Sequence, residues 1–143
     1  MLEQLELEVN GREERGKNAA RRLRAAGRVP ATLYGLGQEP TALSADAKTM
    51  VHLLSDRQQR NRVLALKGAA SGEALAIEWQ VDPVHGDLLH VDLQRIDLAK
   101  PVTATVAMVT KGVAYGVKTE GGIEDVILRR LTVRCLPADI PER

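Results

Sequence analysis

Aromatic side chains are almost missing from this sequence of 143 residues, which contains two tyrosines, one tryptophan and no phenylalanine. Proteins that hold single-stranded nucleic acid usually stack its bases on aromatic side chains. The sequence therefore excludes a base-stacking platform. Any nucleic-acid partner is expected to be helical or otherwise structured, and to be gripped through its phosphates and groove edges.

Cysteine and long apolar runs are also scarce. The single cysteine, Cys135, can form no internal disulfide and no structural zinc site by itself, and its apolar neighbours indicate a core position. No stretch approaches the roughly 20 apolar residues that cross a bilayer. The acidic N-terminus, residues 1–4, lacks the apolar segment of a secretory signal. We therefore expect a protein of the reducing cytoplasm with no membrane partner.

Acidic residues are absent from one segment, although the formal net charge of the whole chain is only +1. Between positions 15 and 28 the chain has six basic residues and no acid. They are Arg15, Lys17, Arg21, Arg22, Arg24 and Arg28. A near-neutral total can thus hide a strongly positive face, which is the electrostatic signature of a nucleic-acid binder.

Short segments of alternating residues predict a mainly β protein with short helices. Leu5–Val9 alternates with period two, as a half-buried strand does. Asn18–Ala26 is rich in helix formers, with Asn18 as the expected N-cap and Gly27 as the C-terminal cap. Further strands are predicted at 31–34, 41–44, 62–66, 74–81 and 89–96, a second helix at 46–54 and a turn at 82–87. This pattern indicates a compact barrel or sandwich of roughly 95 residues.

The remainder of the chain changes character near residues 98–100, which we take as a domain boundary between residues 1–97 and 98–143. Two strands are predicted, at 101–109 and 127–135, with four glycines between them. The last residues, 136–143, are expected to be extended and not to close the second β domain. Two strands make a poor independent core, so the second β domain is expected to be only the start of one.

The basic segment, if helical, places its cations in a stripe. Successive helical residues turn by about 100 degrees, so Lys17, Arg21 and Arg24 share one face and Leu23 lies on the opposite one. Arginine in the first turns of a helix opposes the usual preference for acids there, and would build an anion site at the positive end of the dipole. The alternative is a solvated helix face, which the missing acids and the flanking Arg12 make less favoured.

Two later strands predict a polar surface. On the strand at 74–81, apolar residues at alternate positions are expected to share one face. They are Leu75, Ile77, Trp79 and Val81. If this strand pairs with the strand at 89–96, Gln80, His90 and Asp92 lie close together on the opposite face. Because phosphate repels a carboxylate, Asp92 would accept from cytosine amino or guanine imino groups, and His90 would donate or accept. A plain exposed strand face is the alternative.

Other functions fit parts of the sequence less well. His85, His90 and Asp92 could serve a metal-dependent hydrolase, although no nucleophile motif, phosphate-binding loop or H-E-x-x-H accompanies them. A protein–protein adaptor or stress factor acting through the second domain is another alternative. Tyr34, at the end of a strand beside glycine, is either a surface tyrosine or an RNA contact.

A series of motifs that together resemble a single protein family occurs in order along nearly the whole chain. They are Gly16–Arg24, Val29–Ala31, Tyr34-Gly35, Gln80, Asp82–Val84, His90–Asp92 followed by Arg95, Gly112–Lys118, Gly121-Gly122, Cys135–Pro137 and Asp139–Pro141. This combination resembles the family of bacterial large-subunit ribosomal protein twenty-five, also known as the Ctc or general stress protein family.

The resemblance implies a structural protein of the large ribosomal subunit that binds the loop E region of 5S ribosomal RNA, and not an enzyme. It implies an N-terminal β-barrel similar to the anticodon-binding barrels of glutaminyl-tRNA synthetase, and a β-rich C-terminal domain in longer members. The implied partners are 5S rRNA and other large-subunit proteins, with no cofactor, metal or small-molecule substrate. The family's RNA-contacting positions match Arg12, Arg21, Tyr34, His90 and Asp92, with supporting contacts at Lys17, Arg22, Arg24 and Gln80.

Three positions depart from the family's pattern. Ala20 replaces a small hydroxyl residue and removes a phosphate hydrogen bond. Leu93 replaces a phenylalanine in the packing, and Ile77 stands where a lysine is common. The principal RNA-contacting positions are retained.

Overall fold

The computed structural model describes residues 5–55 and 61–141. Residues 1–4, which carry the prediction about the secretory signal, lie outside the described residues. The elements are β1 Leu5–Gly11, α1 Lys17–Ala25, β2 Arg28–Gly35, β3 Gln38–Asp46, α2 Ala47–Ser55, β4 Leu64–Gly68, β5 Gly72–Val81, β6 Leu88–Arg95, β7 Val102–Ala107, α3 Tyr115–Glu120, β8 Arg130–Cys135 and a 3-10 turn at Pro137–Asp139. The predicted mainly β architecture with short helices is confirmed.

The first six strands form a closed barrel in the order β1-β3-β2-β6-β5-β4. Most neighbours are antiparallel, but β1 pairs with β4 and β2 pairs with β6 in parallel. The seam between β1 and β4 ends where Val9 pairs with Gly68, whose φ is 107°. A side chain at Gly68 would collide with the carbonyl oxygen of Val9, so glycine permits this closure. Closure pairs both edges of each barrel strand.

The barrel interior is filled by aliphatic side chains from alternate strand positions. In β1 the predicted alternation is confirmed, because Leu7 and Val9 are buried while Glu6 and Glu8 are exposed. Residues that are no more than 1% exposed include Leu7, Val9, Leu33, Leu43, Val91 and Leu93. In β2 the same alternation buries Leu33 and leaves its neighbours Thr32 and Tyr34 half-buried.

Helix α2 packs its apolar face on the same core. Its buried residues, Met50, Leu53 and Leu54, have the spacing of one helix face. Asp46 directly precedes the helix, and its Oδ2 accepts hydrogen bonds from the backbone N–H of Thr49 at 2.9 Å and from the Thr49 hydroxyl at 2.8 Å. These bonds lower the pKa of the Asp46 carboxyl, the backbone bond most strongly.

Strand β5 differs from the sequence-based prediction at Ile77. Its pairing with β6 shifts between Ala76, opposite Leu93, and Glu78, opposite Asp92, so Ile77 is the extra residue of a β-bulge. A one-residue shift moves the following side chains to the other face. The prediction that Leu75, Ile77, Trp79 and Val81 share one face is therefore wrong. Trp79 packs on the barrel core, Leu75 packs outside it, and Ile77 and Val81 are exposed.

Strands β7 and β8 form a separate antiparallel pair, from Val102 opposite Cys135 to Ala107 opposite Arg130. Both predicted strands of this region are confirmed, in shorter form. Sequence reasoning predicted no helix between them, but α3 lies there and ends at Gly121, which is left-handed with φ 67°.

The prediction that the end of the chain is extended is wrong in part. This segment contains the 3-10 turn, in which Pro137 is buried. Ile140 and Val102 pack against a small cluster outside the barrel. That cluster consists of Val63, Leu75 and Ile96. Leu75, which points out of the barrel, therefore belongs to a cluster against which Ile140, near the end of the chain, packs.

Candidate nucleic-acid interface

Helix α1 begins and ends one residue earlier than predicted. It is entered through Gly16, which has φ 104° and makes no side-chain cap, so the prediction of Asn18 as N-cap is wrong. Gly27 follows the helix at φ 78°, and its N–H donates to the carbonyl of Arg24 at 2.9 Å. The helix packs against β2, with Leu23 half-buried beneath it.

The four helix cations, Lys17, Arg21, Arg22 and Arg24, differ in their partners. Arg22 pairs with Glu14 at 2.8 Å, and both side chains are at least 70% exposed. Arg24 donates from Nη1 to the carbonyl of Leu89 at 3.2 Å in a partly buried position, which ties the helix to β6. Lys17 and Arg21 are exposed, and neither pairs with an acid within residues 5–55 and 61–141.

The expectation that the arginines lie in the first turns of the helix is wrong for Arg22 and Arg24, while the anion site itself stays a prediction. Arg22 and Arg24 occupy the last turn, where the negative end of the helix dipole favours cations, and only Lys17 lies at the start. The segment from Arg15 to Arg28 contains no acid, but the carboxylate of Glu14, one residue before it, accepts a hydrogen bond from Arg22. The backbone carbonyl of Glu14 accepts from Nε of Arg12 at 2.8 Å. Glu14 therefore contacts one arginine on each side of it in the sequence.

A row of three polar side chains in contact crosses from β2 to β6 on the outside of the barrel, and we call Thr32, His90 and Asp92 the polar row. Nε2 of His90 lies 3.2 Å from the Thr32 hydroxyl oxygen. Nδ1 of the same ring lies 3.2 Å from Oδ1 of Asp92. The parallel pairing of β2 with β6 places Thr32 directly opposite Asp92. Sequence reasoning found His90 and Asp92 but missed Thr32, because nothing local indicates that β2 and β6 are neighbours.

The polar row continues onto β5. Gln80 pairs with His90, as predicted, and Glu78 pairs with Asp92. Burial raises the pKa of the Tyr34 hydroxyl, and the charges of Asp92 and Glu78 raise it further. Tyr34 therefore keeps its proton and remains a hydrogen-bond donor. Glu78 was missed as a site residue, although its alternation with Gln80 in the sequence is a usable signal.

The predicted site residues thus form two adjoining groups. The helix cations reach β6 through the Arg24 contact to Leu89, one residue before His90. The polar row then runs along β6 toward Tyr34. In such a surface, the cations can bind a phosphate backbone, and the carboxylates and amides beside them can hydrogen-bond to base edges.

Features that would favour other chemistry are weak. Nδ1 of His85 lies 3.3 Å from Oδ2 of Asp82 in its own turn. Hydrogen bonds from the N–H groups of Val84 and His85 lower the pKa of Asp82. In the part of the chain that the structure describes, no three His, Cys, Asp or Glu side chains gather as metal ligands. None of its helices is long and apolar enough to cross a membrane.

Comparison with known sequences gives the family. A profile of the Ribosomal L25p family matches residues 7–93, which correspond to the closed barrel. This chain belongs to that family. A second profile, for the C-terminal domain of ribosomal protein TL5, matches residues 101–143, where the β7–β8 pair lies.

Relatives of this L25p-family chain are similar over almost all of its length. It is 39% identical over 144 residues to the large ribosomal subunit protein bL25 of Geobacter sulfurreducens, covering 99% of this chain and 74% of that protein. The bL25 protein of Geobacter metallireducens is 35% identical, with 99% and 73% covered. That of Desulfosudis oleivorans is 41% identical, with 99% and 65% covered.

Membership in the L25p family establishes a structural role in the cytoplasmic ribosome, and the family is one of ribosomal proteins rather than enzymes. The resemblance noted in the sequence is thereby confirmed. The metal-dependent hydrolase alternative is wrong, in agreement with the placement of His85 beside Asp82 and away from the His90–Asp92 contact.

Proposed function

We propose that this L25p-family protein is a component of the large ribosomal subunit that binds 5S ribosomal RNA at its loop E region. The observation that carries the proposal is the polar row beside a helix with exposed cations. Cations alone hold any phosphate backbone, whereas placed donors and acceptors prefer particular base edges. The motifs shared with the family support 5S RNA as the partner.

The proposed grip has two parts. Arg12, Lys17, Arg21 and Arg22 neutralise phosphates, and Tyr34, Gln80, His90 and Asp92 recognise base edges. Arg24 holds α1 in place through its bond to the carbonyl of Leu89, so its contribution to binding is indirect. Because Arg22 is paired with Glu14, three full phosphate contacts remain, and log affinity falls against log salt with a slope of about −3. This is shallower than the six cations of the basic segment would give if all were free.

We assign RNA binding to residues 1–97 and contacts with other parts of the subunit to residues 98–143. The division is supported by the barrel, which closes between Leu5 and Arg95 and contains both parts of the grip. The two regions are joined by a small cluster around Leu75 and by a hydrogen bond from Nδ2 of Asn61 to the carbonyl of Thr105 at 3.4 Å. An adaptor function through the second domain alone would leave the polar row without a role.

The full chain should be titrated against 5S rRNA and against a base-paired RNA of equal length and no loop E. Lys17→Gln should weaken binding to both RNAs by a similar factor, because a phosphate contact carries no sequence information. Lys48→Gln is the matched control, since Lys48 is an exposed lysine of α2 outside the proposed surface. Asp92→Asn should mainly reduce the preference for 5S rRNA.

Two outcomes would overturn the proposal. If the unaltered chain binds both RNAs equally, 5S rRNA is not its partner. If Asp92→Asn keeps the full preference while folding normally, the polar row does not read bases. If the unaltered chain binds neither RNA but retains ribosomal proteins in a pull-down, the adaptor function is favoured instead.

A further inference from the structure

The hydroxyl of Thr32 occupies a position in the polar row that the two-part grip does not use. We propose that Thr32 is a specificity-determining residue, whose oxygen accepts a hydrogen bond from an N–H or O–H donor on the RNA while its proton is held by His90. This inference rests on the proposed function, since it names a further contact of the same surface.

The tautomer of His90 follows from the position of Asp92. Nδ1 of His90 lies 3.2 Å from the carboxylate oxygen Oδ1, and a lone pair on that nitrogen would face the negative charge, so the proton of the neutral ring belongs on Nδ1. In the neutral ring the other nitrogen, Nε2, then has a lone pair and no proton. The tautomer of His90 is therefore set by its partner on the same strand.

The orientation of the Thr32 hydroxyl follows from that tautomer. Nε2 of His90 lies 3.2 Å from Oγ1 of Thr32, and a nitrogen with a lone pair can only accept. The hydroxyl must therefore donate inward to the ring. Its oxygen keeps two lone pairs, and Thr32 is only half-buried, so these can face a ligand as acceptors.

The row consequently presents acceptors in a line. Nε2 of His90 is bonded to Thr32, which leaves the Thr32 oxygen and the oxygens of Asp92 as acceptors for the ligand, beside Nδ1 of His90 as a donor. Amino and imino groups of bases and the ribose 2′-hydroxyl are the RNA groups that donate to such oxygens. Thr32 thus adds to the row an uncharged acceptor, which phosphate does not repel as it does the carboxylate.

The test compares Thr32→Val with Thr32→Ser in the full chain. Valine has almost the same shape and is well suited to a strand, but it has no oxygen, whereas serine keeps the hydroxyl. Thr32→Val should lose about 3- to 10-fold in affinity for 5S rRNA, the effect of one hydrogen bond, and nothing for the base-paired control RNA. Thr32→Ser should retain most of the preference.

A second measurement needs no RNA. Long-range proton–nitrogen NMR of the free protein should show the proton of His90 on Nδ1, and the Nε2 signal should shift in Thr32→Val but not in Thr32→Ser. A proton found on Nε2 would overturn the inference. So would a Thr32→Val chain that prefers 5S rRNA as strongly as the unaltered chain. Loss of preference in the unaltered chain itself would refute the proposed function instead.

Discussion

Replacing Glu14 by glutamine should make RNA binding more dependent on salt. The carboxylate of Glu14 lies 2.8 Å from Nη2 of Arg22, outside the helix and open to solvent. While that pair is intact, the carboxylate partly neutralises the charge of Arg22, so Arg22 attracts a phosphate less strongly. Glu14→Gln removes the competing carboxylate and leaves a side chain of the same size, so one further cation becomes available.

The magnitude follows from the release of counterions. Each neutralised phosphate contributes about 0.9 to the slope of log affinity against log salt. Freeing Arg22 fully should steepen the slope by up to that amount. Between about 50 and 200 mM salt the variant then loses about 3.5-fold more affinity than the unaltered chain. Folding stability should hardly change, because exposed ion pairs contribute about 0–1 kcal/mol.

The assay is a set of titrations of 5S rRNA at four or more salt concentrations. Glu13→Gln is the matched control, since it removes the same charge from the neighbouring exposed glutamate, which makes no ion pair within the described residues. Arg22→Gln should flatten the slope strongly in the Glu14→Gln background and only slightly in the unaltered chain. Equal slopes for Glu13→Gln and Glu14→Gln would refute the reasoning.

Three further outcomes are expected. Leu33→Ala, which truncates a side chain with 0% exposure in the barrel core, should lower the free energy of unfolding by about 2–5 kcal/mol in a urea titration. Asp46→Ala should lower the melting temperature at neutral pH; because the pKa of Asp46 is lowered by its bonds to Thr49, the difference from the unaltered chain should vanish as pH falls through that pKa. Ultraviolet titration should show the Tyr34 hydroxyl ionising above the ordinary tyrosine pKa, and Asp92→Asn should bring it closer to normal.

Local sequence patterns were sufficient for most of the fold. The alternation around Leu7 and the presence of helix α2 each depend on residues a few positions apart, and both were predicted. The bulge at Ile77 could not be predicted, because it depends on how β5 meets β6 rather than on β5 itself. Such a shift reverses the face of every later residue in the strand.

The candidate site was predictable to a similar degree. His90 and Asp92 are alternate residues of one strand, and the pairing of His90 with Gln80 follows from the turn between two consecutive strands. Thr32 lies 58 positions from its partner His90, and a parallel pairing between β2 and β6 leaves no trace in either segment. The Glu14 pair was missed because an acid outside the basic segment returns to it through a loop.

If the polar row reads bases as proposed, the parallel pairing of β2 with β6 also determines when the chain can distinguish one RNA from another. The cations of helix α1 lie within nine consecutive residues, so they emerge together while the chain is still being synthesised. The polar row needs two strands whose paired residues are 60 positions apart, from Ala31 opposite Val91 to Tyr34 opposite Gln94. Loop closure over such distances slows folding. Under the proposed function, we therefore expect a nascent chain to gain general affinity for RNA first, and selectivity only after β6 has been synthesised and has joined the barrel.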